Sequence, residues 1–154
     1  MDIFFNQKQQ IVVNNSIENV RDNIQGITSQ KWYKLSPHNI TGRRKSKGDY
    51  SFTHQFSLVA FQWIEGSPAY LNVRLEKEDN RTKIQTRIRP NSVFVIFFYL
   101  LCLLFLLEVF GVRTIDSGSK ALNLFLYLSF ALIIFGLIKL FTTSLKNKFL
   151  KIIG

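Results

Sequence analysis

The chain has 154 residues, with 20 Lys or Arg against 10 Asp or Glu, a formal net charge of +10 and one cysteine. A lone cysteine excludes an intrachain disulfide and a CxxC metal site. The average composition resembles that of a single soluble domain, but it conceals two unlike halves. Residues 1 to 91 hold fourteen basic and eight acidic residues, whereas residues 92 to 154 hold six and two, spread around two long apolar runs.

In chain order, Ile11 to Val13 is a short β-type run. NNSIENVRDNIQG then spaces Ile17, Val20, Ile24 and Ile27 by three, four and three, which predicts one apolar stripe on a helix. Asn15 with Glu18 three residues on predicts the N-terminal cap, and Gly26 predicts the end. So short a helix needs a sheet to bury its stripe.

GRRKSKG packs Arg43, Arg44, Lys45 and Lys47 between glycines and predicts a basic loop. It is not a phosphate-binding Walker loop, because it lacks the four-residue gap before a Gly-Lys-Ser/Thr ending. In DYSFTHQFSL, Tyr50, Phe52, His54, Phe56 and Leu58 alternate with Ser51, Thr53, Gln55 and Ser57, so a strand with one aromatic and one hydroxyl-rich face is predicted. The phase is lost at Val59 to Trp63, where a bulge, a bend or a new strand begins.

AYLNVRLEKEDNRTKIQTRIR carries the clearest local pattern. With a turn centred on Asp79 and Asn80, Leu75 faces Ile84, Val73 faces Thr86 and Leu71 faces Ile88. On the other side Glu76 meets Lys83, Arg74 meets Gln85 and Asn72 meets Arg87. A one-residue slip would spoil both faces, so the register is fixed by the sequence. Pro90 ends the last strand, and Asn91 or Ser92 caps the first of the two apolar runs.

That run, Val93 to Val112, has Glu108 as its only charge, and at ~1.5 Å per residue it matches the roughly 30 Å core of a bilayer. Ala121 to Phe141, with Asn123, Ser129 and Lys139 among Leu, Ile, Phe and Ala, is also long enough to span. RTIDSGSK between them has turn chemistry and predicts a transmembrane hairpin. Glu108 falls near the outer end of its span, where Arg113 and Lys120 or water can meet it; its alternative role is a protonatable or pore-facing group in an oligomer. Lys139 lies near the inner boundary and can extend outward along its stem. Cys102, in mid-span, reads as packing.

Six basic residues from Arg74 to Arg89 precede the first span, and Lys146, Lys148 and Lys151 come after the second. The connector has only Arg113 and Lys120. The positive-inside rule therefore predicts both termini in the cytoplasm of a bacterial inner-membrane protein. MDIFFNQKQQ has neither the basic start nor the apolar core of a secretory signal. The tail SLKNKFLKIIG spaces Leu145, Phe149 and Ile152 helically between lysines, predicting an amphipathic helix over 143–154 at the inner interface.

The fold class expected is thus α+β: an N-terminal domain over 1–91, one helix packed on an antiparallel sheet, followed by a membrane hairpin over 92–142. A β-domain ending LEKEDNRTKIQTRIRPNSVFVIFF and followed at once by two spans resembles a set of small bacterial two-span membrane proteins of unknown function. That resemblance covers roughly residues 40 to 140, and it implies no activity and no site residues.

His38 and His54 match no zinc, haem or protease spacing, and the chain has no nucleophile motif or paired carboxylates. No catalytic residue, metal or cofactor is expected, and an enzyme is the least favoured class. The basic residues Arg43, Arg44, Lys45, Lys47, Lys83, Arg87 and Arg89 are instead candidate contacts to anionic lipid or an anionic partner. Nucleic acid is disfavoured for want of a recognisable motif. The expected role is a scaffold or interaction subunit working as a homo-oligomer or in a larger membrane complex. The alternative is an oligomeric effector or channel gated at the cytoplasmic domain.

Overall fold

The computed structural model describes residues 5–28, 39–46, 48–54, 67–78, 81–112 and 119–153. The predicted turn at Asp79 and Asn80, the phase change at Val59 to Trp63, His38, Lys47 and most of the connector after Val112 fall outside them. The chain divides into two compact units, residues 1–91 with 141–154, and residues 92–140.

The first unit is built on five antiparallel strands: β1 (Gln7–Val13), β2 (Ile40–Ser46), β3 (Asp49–His54), β4 (Ala69–Glu78) and β5 (Arg81–Pro90). They lie in the order β1-β5-β4-β3-β2. The β4–β5 register is the one that the alternation predicts, with Leu75 opposite Ile84, Val73 opposite Thr86 and Leu71 opposite Ile88. The polar partners on the reverse side also match, although Glu76 bonds its neighbours differently. Its carboxylate accepts from Gln85 Nε2 at 2.8 Å and pairs with Arg74 at 3.6 Å rather than with Lys83.

Helix α1 (Ile17–Thr28) buries Val20, Ile24 and Ile27 on the apolar side of this sheet, as the spacing requires. Its cap is Ser16, whose Oγ accepts from Asn19 N at 3.3 Å, and not Asn15. The helix runs through Gly26, so that glycine does not end it. Thr82 and Thr86 also point into the apolar side, and each hydroxyl donates to a carbonyl of the β1 segment, of Asn15 at 2.8 Å and Gln9 at 3.0 Å. These bonds make two buried hydroxyls tolerable.

GRRKSKG is where expectation and structure part. As far as Ser46 the segment is a strand and not a loop: Ile40 to Arg44 pair with β3, and Ser46 pairs again after a shift in register. A charged run reads as loop only until it is recognised as an edge strand, where Lys and Arg discourage pairing with a foreign strand. Gly42 stands opposite Phe52, and a Cβ there would come within 2.5 Å of the Phe52 ring. The glycine is what leaves room for that ring in the core.

Helix α2 (Ser92–Val109) and helix α3 (Lys120–Ile153) are both long and apolar enough to cross a membrane. Many of their apolar side chains stay open, with Phe125 66%, Ile96 66% and Leu140 62% exposed. Within the second unit the helices meet at Phe98 and Phe135, whose ring centroids are 6.0 Å apart, and at Glu108 and Asn123.

α3 has 34 residues and does not stop at the predicted end of the span. From Phe141 on it belongs to the first unit. Leu145, Phe149 and Ile153 are in the core of the sheet domain, and the Phe149 and Phe52 rings lie 5.2 Å apart. The tail is helical and amphipathic as expected, but its apolar stripe is covered by the sheet rather than by the lipid interface. Periodicity specifies a stripe and leaves its cover open.

Candidate functional site

α1 and the end of α3 cover one side of the sheet, and among the described residues no helix of the unit packs on the other side. Strand alternation and the observed register decide which side chains stand on this open side. One row across the strands holds Lys8, Arg87, Asn72, Ser51 and Arg43, each directly opposite the next. Arg89 and Arg74 come from the rows on either side, and Lys83 from the row beyond that of Arg74. Lys45 joins them, because the register shift lets its Nζ donate to Asn72 Oδ1 at 2.9 Å.

Of the seven predicted basic contacts, the sheet therefore gathers Arg43, Lys45, Lys83, Arg87 and Arg89. Arg44 alternates to the opposite side, paired with Tyr50, and its Nε donates to Ser46 O at 3.2 Å. Lys47 falls outside the described residues. Lys8 and Arg74 are additions that the sequence did not single out as site residues. Lys8 acquires its place only because β1 pairs with β5, a contact between the two ends of the sheet's sequence.

Among the described residues the acids on this side are Asp49, Glu76 and Glu78; the first two go to Arg74, at 3.8 and 3.6 Å, and Glu78 stands at the far end of β4, opposite Arg81. Arg89 lies over the Tyr70 ring, 5.3 Å from its centroid. Lys8, Lys45 and Arg87 have no ion pair among the described residues. They border a concavity of about 610 Å³, whose floor and rim include Gln10, Asn72 and Gln85. A cluster of unneutralised cations with amide donors around a hollow attracts an anion and offers it hydrogen bonds.

A second polar cluster joins segments at one edge of the same unit. His54 N donates to Ser67 Oγ at 3.1 Å, and Asn91 Nδ2 donates to Ser67 O at 3.2 Å. The His54 Nε2 lies 2.9 Å from Phe141 O, and the two rings meet edge to face. His54, the last residue of β3, is buried and tethers the point at which α3 enters the domain. Burial holds its pKa below the ordinary 6.5; the Phe141 carbonyl opposes that shift and Lys148 adds to it.

In the second unit Glu108 is 2% exposed, and Asn123, itself buried, donates to it at 3.4 Å. The expected partner Lys120 instead donates to Val109 O at 3.2 Å. Asn123 is thus one partner of this carboxylate, and Arg113, the other basic residue expected near it, lies outside the described residues. Lys139 Nζ lies over the Phe135 ring, 5.7 Å from its centroid.

Among the described residues no three His, Cys, Asp or Glu gather as a metal site. No family model, no curated protein and no solved structure matches the chain.

Proposed function

We propose that this protein is a membrane-anchored interaction subunit. The two apolar helices cross the inner membrane of a bacterium as a hairpin, with both termini on the cytoplasmic side. They hold the sheet domain at the membrane, where its open basic side meets an anionic partner.

The observation that carries this reading is the double attachment of the domain. β5 ends at Pro90, two residues before α2 begins at Ser92, and the last turns of α3 lie in the domain's own core. A module tied in this way cannot act away from its apolar helices. Their exposed phenylalanines and leucines form a surface far larger than a soluble monomer leaves in water, and lipid is the natural cover. Arg89 is three residues from the first span, within reach of anionic headgroups.

The rival reading, a channel, rests on Glu108. Asn123 of the same chain already bonds that carboxylate, so no pore is needed to explain it. This favours the anchor. Alkaline carbonate washing of membranes tests the anchoring, and purified protein in liposomes tests the rival. The chain should stay in the membrane pellet and pass neither protons nor cations. Release by carbonate contradicts the anchor, and a wild-type flux lost in Glu108→Gln contradicts the scaffold in favour of the channel.

A further inference from the structure

The open side of the sheet carries an arrangement that folding alone does not favour. Lys8 and Arg87 stand directly opposite each other on β1 and β5. Residues so placed have Cβ atoms about 5 Å apart, and like charges there destabilise a sheet. Neither makes an ion pair among the described residues, although Asp49 and Glu76 stand on the same side and both serve Arg74. Asn72 faces Arg87 from the other flank and holds Lys45 at 2.9 Å, so a third cation is aimed at the same hollow.

We propose that this hollow is a binding site for a small soluble ligand bearing adjacent phosphoryl groups, of the diphosphate class, held by Lys8, Arg87 and Lys45. The proposal deepens the reading of this side as the partner-binding side and rests on it. The planar guanidinium of Arg87 suits a phosphoryl group bidentately, and the ammonium groups supply point charges on either flank. The volume of about 610 Å³ is that of a small-molecule site. A bilayer would meet a flat patch, whereas here three cations converge on a concavity. Among the described residues Tyr50 is the one ring bordering the hollow, and it is buried, so these residues offer no platform there for stacking bases of a nucleic acid strand.

The test uses the full chain in nanodiscs of phosphatidylcholine, with inorganic pyrophosphate as the probe and chloride matched for ionic strength as the control. Pyrophosphate should raise the thermal midpoint of the wild type by a few degrees above chloride. Lys8→Gln should raise the midpoint without ligand by about 2 °C, because it relieves the opposed charges, and should abolish the pyrophosphate shift. Arg44→Gln, on the other side of the sheet, should keep the shift. No shift in the wild type, or a full shift in Lys8→Gln, overturns the proposal. Nanodiscs of phosphatidylglycerol separate the sources: a pyrophosphate shift that survives there supports a soluble ligand, and one that disappears assigns the site to lipid headgroups and overturns it. Carbonate extraction of the same proteins keeps the failures apart, since a chain that stays anchored while ignoring pyrophosphate refutes this ligand and leaves the anchor standing.

Discussion

Replacing Phe149 by Ala removes a ring that is 1% exposed and packs 5.2 Å, centroid to centroid, from Phe52. A phenylalanine buries roughly 200 Å², which at about 25 cal/mol per Å² corresponds to about 5 kcal/mol. Core Phe→Ala changes in well-packed domains cost about 3–5 kcal/mol. A domain of this size is stable by only about 5–15 kcal/mol, so the variant should be close to unfolding. Urea-dependent proteolysis of membrane preparations reads the effect, with exposed Lys151→Ala as the comparison. Phe149→Ala should lower the urea midpoint sharply, and Lys151→Ala should leave it within the range of surface changes, about 0.5 kcal/mol. If the tail lay in the lipid interface instead, the two variants would unfold alike, and the claim that α3 closes the domain core would fail.

Ile84→Asp places a charge in the core opposite Leu75 and should destabilise the domain by several kcal/mol, while Lys83→Asp on the open side should have little effect; equal protease sensitivity would refute the register. Gly42→Ala drives a methyl group into the Phe52 ring and should cost about 1–3 kcal/mol in the same assay. His54 gives the domain a pH dependence. Its folded pKa lies below the unfolded 6.5, so the unfolded chain binds more protons between the two values. The His54 contribution is complete above about pH 6.5 and is lost as the pH falls from there through the folded pKa; His54→Gln should flatten that part of a stability profile, and an unchanged slope would exclude the histidine as its source. In the second unit, Glu108→Gln preserves an acceptor for Asn123 and should leave the helix pair intact, whereas Glu108→Leu should weaken it by about 1 kcal/mol in detergent titrations. Equal weakening would show that the charge, and not the hydrogen bond, matters there.

Legibility followed the range of the interactions. The β4–β5 hairpin and the α1 stripe were readable because neighbouring residues determine them: alternation and complementary pairs in one case, a period of 3.6 in the other. Arg43 to Lys45 misled because a charged edge strand and a loop have the same composition. Lys8 was invisible as a site residue, since nothing local says that β1 pairs with β5. The tail's stripe at Leu145 and Phe149 was evident, but an amphipathic helix is indifferent to whether lipid or a sheet covers it. Glu108 obeyed the same rule in its bond to Asn123, a partner that depends on how α2 meets α3 and that no local pattern announces.

The central claim is an anchor with its domain in the cytoplasm, and cysteine labelling in bacterial cells tests it most directly. In a Cys102→Ala background, Ser117→Cys in the connector and Lys77→Cys in β4 are treated with a membrane-impermeant maleimide. Ser117→Cys should label in intact cells, and Lys77→Cys only after permeabilisation. Labelling of Lys77→Cys in intact cells, with Ser117→Cys protected, would reverse the orientation and contradict the claim.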